Sequence, residues 1–165
     1  MRRIGLLGLL LCGPVAAQSQ PGQSPAVRAF IARERQLAAY YARQSGVPPE
    51  LVHAIIDVES GWKPHATSAK GAAGLMQLMP QTAYRWGAIN RYEPRQNLAA
   101  GVAHLAALLG RFGGDLRLTL AAYYAGEKPI DQKGLRYANA DVLRYVRAVQ
   151  LRYQRLKTLC DNHRK

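Results

Sequence analysis

The stretch from Glu50 to Glu59 constrains this chain more than any other. Leu51, Val52, Ile55, Ile56 and Val58 spread apolar side chains around most of a helical wheel. A helix with so little polar surface belongs at the centre of a packed domain, with the other elements arranged around it. Pro48-Pro49 mark its start, because proline is preorganised for the first helical position. Gly61 and Pro64 mark its stop.

The flanking segments supply the surrounding elements. Val27, Phe30, Ile31, Leu37, Ala38 and Tyr41 give a helix over Ala26–Gln44, ended by Gly46. A loop runs from Lys63 to Gly74, a short apolar piece covers Leu75–Met79, and Pro80 opens a helix to about Trp86. Gly87–Gln96 reads as a loop. Asn97–Phe112 repeats Leu98, Val102, Leu105, Leu108 and Leu109 at helical spacing. Asp115 is placed to cap a helix over Leu116–Ala125. Gly126–Gly134 reads as a polar loop, and Asn139 or Asp141 caps a last helix to about Leu159. No segment alternates as a strand would, although a short hairpin within a loop stays compatible with the pattern. The expectation is one mainly α domain with no internal repeat.

Of the 165 residues, 23 are Lys or Arg and 10 are Asp or Glu, a formal charge of +13. This favours a polyanionic partner: nucleic acid, anionic lipid or an acidic wall polymer. The basic residues are dispersed, and neither a zinc-finger pattern nor a basic recognition helix supports nucleic-acid binding. At the N-terminus, Arg2-Arg3, an apolar run from Ile4 to Cys12 and the small residues Val15-Ala16-Ala17 read as a secretory signal peptide cut after Ala17. The run is too short to span a bilayer, which takes about 20 apolar residues. The expected organisation is a signal peptide over 1–17, a flexible lead-in over 18–25, one domain over 26–160 and a tail over 161–165. Cleavage leaves Cys160 as the sole cysteine, so packing rather than an internal disulfide must stabilise the domain.

Glu59 ends the most apolar helix. The helix dipole favours cations there, and apolar neighbours disfavour the carboxylate, so both effects raise its pKa towards the range of a general acid. The plain alternative is a helix-end Glu facing solvent. Asp57, two positions away, points to another face and reads as a surface or capping charge. Glu93, Asp115, Glu127, Asp131 and Asp141 fall in loops or caps, none visibly opposite Glu59. Hydrolysis of a glycosidic bond ordinarily uses two flanking carboxylates, so a single acid favours chemistry in which the substrate does the second carboxylate's work. Gln77, inside the apolar Leu75–Met79 piece, is costly unless hydrogen-bonded. Tyr84, Trp86, Tyr92, Tyr123, Tyr124, Tyr137 and Tyr145 offer rings to line a groove. His53, His65, His104 and His163 form no i,i+4 pair and accompany no cysteine cluster, so no metal site is expected.

These residues fall into a familiar order. Val58-Glu59-Ser60-Gly61 is followed by Gly71-Ala72-Ala73-Gly74-Leu75-Met76-Gln77-Leu78-Met79-Pro80-Gln81-Thr82-Ala83. Asn97 and Gly101 then share a helix, and Ala122-Tyr123-Tyr124-Ala125-Gly126 and Tyr145-Val146 complete the set. The pattern resembles the soluble lytic transglycosylase (SLT) domain, over about Arg43 to Leu156. The resemblance implies a mainly α, goose-lysozyme-like domain with a glycan-binding groove, and a peptidoglycan lytic transglycosylase that needs no cofactor. It makes Glu59 the single catalytic acid/base and Ser60 its structural neighbour. Gln77 and Met79 become groove residues that contact sugar, Tyr123 the Tyr of the family's Ala-Tyr-Asn-Ala-Gly motif, and Tyr145 a Tyr beside the acid. Asn97 is expected to be structural.

The chain departs from the family pattern at Tyr124, where Asn is usual, and after Glu127, where Lys128-Pro129-Ile130 replaces a Gly-rich turn. Alternatives of other kinds are a muramidase using water and a non-catalytic wall-binding scaffold. The resemblance implies peptidoglycan strands as partner and the periplasm as destination. Small relatives of this kind also serve envelope-spanning secretion or conjugation machines.

Overall fold

The computed structural model describes residues 23–137 and 139–162. The expected signal peptide, residues 1–17, lies outside the described residues. Seven α-helices are described: α1 (Pro25–Gln44), α2 (Pro49–Glu59), α3 (Pro80–Arg85), α4 (Pro94–Arg111), α5 (Leu116–Ala125), α6 (Glu127–Lys133) and α7 (Ala140–Asn162), with a 3₁₀ turn at Gly134–Arg136. The expected mainly α architecture is what the chain adopts.

Helix α2 is the central element. Leu51, Val52, Ala54, Ile55 and Ile56 are all buried, at 2% exposure or less. Burying each large aliphatic side chain is worth about 2 kcal/mol, so this helix anchors the core. It packs most extensively against α7 and next against α1, while α4 and α5 close the other side of the domain. Among the described residues no helix is long and apolar enough to cross a membrane.

Local chemistry explains the helix starts. Pro25, Pro49, Pro80 and Pro94 stand in the first turns of their helices, where the missing N–H would be unpaired anyway. Ser24 accepts from the Val27 amide, and Asp115 accepts from the Arg117 and Leu118 amides. For α7, Asn139 is the cap: its Oδ1 accepts from the Asp141 and Val142 amides at 2.9 and 3.3 Å.

Three boundaries differ from the sequence reading, one of them the end of α7, which runs to Asn162 rather than to about Leu159. Helix α4 starts at Pro94, three residues before Asn97, because the Glu93 carboxylate caps it through the Arg95 and Gln96 amides at 3.1 and 2.7 Å. The expected polar loop over Gly126–Gly134 is instead α6 and the 3₁₀ turn. Buried Ile130 pins that helix to the core, and the Arg111 guanidinium grips Asp131 at 2.9 and 2.6 Å. Its polar residues are the outer face of a short amphipathic turn. The stretch between α2 and α3 folds back on itself through antiparallel bridges Thr67–Ala73 and Ala73–Leu78.

Candidate active site

Glu59 is the last residue of α2 and is half-buried. Burial pushes its carboxyl up from 4.5 to about 7, and the Tyr145 hydroxyl beside it is the opposing influence. That hydroxyl is buried and has no hydrogen-bond partner within contact distance. After burial, the Glu59 carboxylate is the strongest influence on that hydroxyl, ahead of Tyr123 and Tyr124. A carboxyl poised near 7 can both give and take a proton at neutral pH.

The chain beneath Glu59 is fixed by hydrogen bonds to backbone. Ser60, buried directly after the acid, donates from Oγ to the Leu75 carbonyl at 2.8 Å, tying the end of α2 to the Leu75–Met79 segment. Asn97 lies fully buried at the start of α4 and holds the same segment from the other side. Its Oδ1 accepts from the Met76 amide at 2.8 Å, and its Nδ2 donates to the Ala73 and Arg91 carbonyls at 3.0 and 2.8 Å. Gly74 makes this possible: with φ +83°, a Cβ there would stand 2.1 Å from the Arg91 carbonyl oxygen and 2.3 Å from Asn97 Nδ2. Gly101 is required for a similar reason, since a Cβ would meet Met76 Sδ at 2.5 Å.

Gln77 adopts φ +48°, unusual for a residue with a side chain. Its amide nitrogen donates to the Ala66 and Gly74 carbonyls at 3.0 and 2.9 Å. The cost of a Gln inside an apolar segment is thus met by holding the loop together. Met79 stands 43% exposed where the segment runs into α3.

Three tyrosines approach from α5 and α7. Tyr123 donates its hydroxyl to the Met76 carbonyl at 2.9 Å. Burial, and then the Glu59 carboxylate, push its pKa well above 10. Tyr145 is raised in the same way, burial first and Glu59 next. Tyr124 stacks on Tyr145 with ring centroids 4.7 Å apart, while remaining 44% exposed. Glu59, Ser60, Tyr123, Tyr124, Tyr145 and the 75–79 segment therefore converge. Tyr84, by contrast, is 86% exposed on α3.

Of the ten acidic residues, Glu59 has no charged group among the causes of its raised pKa. Glu93 and Asp115 cap helices, Glu127 and Asp131 pair with Arg111, and Asp141 pairs with Arg144. Glu34 pairs with Arg33 in α1, and Glu50 sits in the first turn of α2. Nothing in this arrangement brings a second carboxylate to Glu59. Among the described residues no three His, Cys, Asp or Glu side chains converge in a way that could hold a metal ion.

Asp57 corrects the sequence reading. It is not a surface or capping charge: its side chain is 14% exposed and joins three elements. Oδ1 accepts from Trp62 Nε1 at 2.6 Å and from Arg35 of α1 at 3.3 Å, and Oδ2 accepts from Arg152 Nε of α7 at 2.5 Å. Arg35 also stands 4.8 Å over the Trp62 ring, and His53 meets that ring edge-on at 5.6 Å. Sequence reasoning does not find Arg35, Trp62 and Arg152, because their partner lies up to 95 positions away and no local spacing marks the pairing. Trp62, beside the expected helix stop, is the one available signal.

Comparison with known proteins matches the chain to a family. Residues 36–144 fit the family model described as transglycosylase SLT domain. The transglycosylase of Enterobacteria phage PRD1 is 45% identical over 83 residues, 50% of this chain and 31% of the phage protein. Membrane-bound lytic murein transglycosylase D of Escherichia coli K12 is 37% identical over 91 residues, 52% of this chain and 20% of that protein. This chain thus spans a third or less of the length of these relatives. Among solved structures, an inactive mutant of the lytic transglycosylase Slt from Pseudomonas aeruginosa superposes with a TM-score of 0.65 at 28% identity, covering 75% of this chain and 24% of that one. The 70 kDa soluble lytic transglycosylase of Escherichia coli shares the fold, with a TM-score of 0.67 at 24% identity over 79% of this chain and 27% of its own.

Proposed function

This chain belongs to the transglycosylase SLT domain family, and from that membership we propose that it is a peptidoglycan lytic transglycosylase with Glu59 as its single acid/base. The observation that carries the reading is the environment of Glu59: a carboxyl raised to about 7 by burial, with no second carboxylate acting on it. A water-activating base would have to come from another acidic residue, and Glu93, Asp115, Glu127, Asp131 and Asp141 are occupied as caps or in ion pairs.

Protonated Glu59 gives its proton to the oxygen linking N-acetylmuramic acid to N-acetylglucosamine, and the C1–O bond breaks. The N-acetyl oxygen of the same muramoyl residue stabilises the electron-poor C1. Ionised Glu59 next takes the proton of the C6 hydroxyl as O6 bonds to C1. The 1,6-anhydromuramoyl ring closes, Glu59 is protonated again, and no water or cofactor enters. The Tyr145 hydroxyl, facing Glu59 without another partner, is placed to donate to the carboxylate in its ionised half-cycle.

The remaining assignments follow from the same reading. Gln77, Met79 and the exposed ring of Tyr124 are substrate-contacting residues, whereas Ser60 and Tyr123 support the site. The domain runs over 26–160 behind a signal peptide cleaved after Ala17, and acts in the periplasm. Cleavage removes Arg2 and Arg3 and leaves 21 basic against 10 acidic residues; this net positive charge draws the enzyme to a wall rich in carboxylates, so binding weakens as salt rises. Opening the wall for an envelope-spanning secretion or conjugation machine is the cellular role proposed.

Borohydride treatment of the released fragments tests the chemistry. Anhydro ends have no free aldehyde and resist reduction, as this mechanism requires. Fragments reduced at muramic acid would make the protein a hydrolase.

A further inference from the structure

The network at Asp57 lies next to the acid yet takes no part in the mechanism above. Helices α2 and α7 run antiparallel: Glu59 meets Tyr145 at one end, while Glu50 acts on Tyr153 at the other. Arg152 stands two helical turns beyond Tyr145, on the same face of α7. Its guanidinium reaches Asp57, two residues before Glu59, at 2.5 Å. One ion pair therefore bridges the two helices that carry the acid and its tyrosine.

The same carboxylate governs how the backbone leaves α2. Gly61 and Trp62 have φ of +55° and +66°, so two successive left-handed residues follow Ser60. Glycine tolerates this; a bulky residue does so only where its surroundings over-determine it. Those surroundings are visible. The indole is buried at 5% exposure, its Nε1 is bound to Asp57 at 2.6 Å, and Arg35 covers its face at 4.8 Å. The charged or titratable groups facing this cluster are Arg35 from α1, His53 from α2 and Arg152 from α7, with Glu50 of α2 acting on His53.

We propose that Asp57 is a positioning residue for Glu59: by binding Trp62, Arg35 and Arg152 at once, it fixes the turn that ends α2 and the seating of α7, and so holds Glu59 opposite Tyr145. The inference rests on the reading of Glu59 as the acid. Asp57 acts through the backbone and does not touch substrate. Misplacement of a reacting group by about 1 Å can cost 100-fold in rate, so a brace on the backbone at Glu59 bears on the rate without touching substrate.

The test compares Asp57→Asn, Trp62→Phe and their double variant with the unmutated full chain and with Glu59→Gln, on purified peptidoglycan. Asp57→Asn keeps shape but removes the charge that holds two guanidiniums. Trp62→Phe keeps an aromatic ring under Arg35 but removes the Nε1 donor together with part of the buried indole, so the cavity effect is read separately as a lower Tm. The expected result is a fall in kcat of about 10- to 100-fold with KM within about threefold, a displaced alkaline limb of the pH–rate profile, and a double variant no worse than the more damaged single one, as members of one unit behave. Helicity by circular dichroism confirms folding. Should Asp57→Asn fail to fold, Trp62→Phe alone decides. Folded variants with unchanged kcat and pH profile, whatever their Tm, would overturn the proposal. An inactive unmutated chain would instead refute the reading of Glu59 on which it rests.

Discussion

The ring of Tyr124 lies on the ring of Tyr145, with planes 29° apart and centroids 4.7 Å apart, and Tyr145 in turn faces Glu59. The residue at which this chain departs from its family's usual Asn is thus one ring away from the acid. The ring of Tyr124 packs on the tyrosine beside the carboxyl and leaves its outer face exposed.

Replacement of Tyr124 follows from that arrangement. Tyr124→Phe keeps the stack and is expected to leave stability and kcat nearly unchanged. Tyr124→Ala removes it, at a cost of about 1 kcal/mol for the lost ring pair, read as a lower Tm. A several-fold rise in KM is expected with it, measured with soluble glycan fragments. Equal KM for the Ala and Phe variants would remove Tyr124 from the substrate surface.

Glu59 links activity and stability to pH. Its folded carboxyl titrates at about 7, against 4.5 for an ordinary Glu. In the proposed mechanism the acid form starts the reaction, so kcat/KM is expected to fall as pH rises through about 7. The stability sign is the same. A raised carboxyl contributes fully below its unfolded value and loses that contribution as pH climbs from about 4.5 through about 7. A tenfold change in proton affinity is worth about 1.4 kcal/mol. Glu59→Gln is therefore expected to be more stable than the parent by roughly 2–3 kcal/mol at pH 8 and nearly equal to it at pH 4.5. Denaturant melts at the two pH values check this.

His53 gives the opposite dependence. Burial, above all, lowers it from 6.5 to about 4, although it contacts the Arg35 carbonyl at 3.0 Å. A lowered histidine stabilises the fold fully above its unfolded pKa and loses that contribution as pH falls from about 6.5 through about 4. Stability is expected to drop by roughly 2–3 kcal/mol over that window. His53→Gln, which does not titrate there, is expected to flatten the slope.

Asn97 is expected to be irreplaceable for folding rather than for chemistry. Its removal leaves the Met76 amide and the Arg91 carbonyl without their partner, while the Ala73 carbonyl keeps the Leu78 amide at 3.0 Å. At about 1–3 kcal/mol for a buried group left unsatisfied, Asn97→Ala is expected to lower stability by about 3 kcal/mol or more, measured by urea unfolding.

Much of this is legible in the sequence, and the reasons differ by residue. Helix α2 can be read because an all-round apolar surface has only one place to go, and Glu59 because its position at the end of that helix sets its environment. Pro49, Pro80 and Asp115 mark helix starts because their effects are local. The start of α4 lies three residues before the sequence places it. Asn97 looks like a cap but is buried for long-range hydrogen bonds, and Glu93 caps the helix instead. Helix α6 is hidden by its brevity: seven residues with one buried side chain carry too little periodicity. Asp57 is obscure for a further reason. That it faces away from Glu59 says nothing about what waits on the other face, which is set by arginines from α1 and α7.

The decisive measurement is mass spectrometry of the fragments that the mature protein releases from purified peptidoglycan, beside Glu59→Gln. Muropeptides ending in 1,6-anhydromuramic acid are expected from the unmutated protein and none from the variant. Anhydro ends released equally by Glu59→Gln would contradict the assignment, since the chemistry would then proceed without the one carboxyl held to carry it.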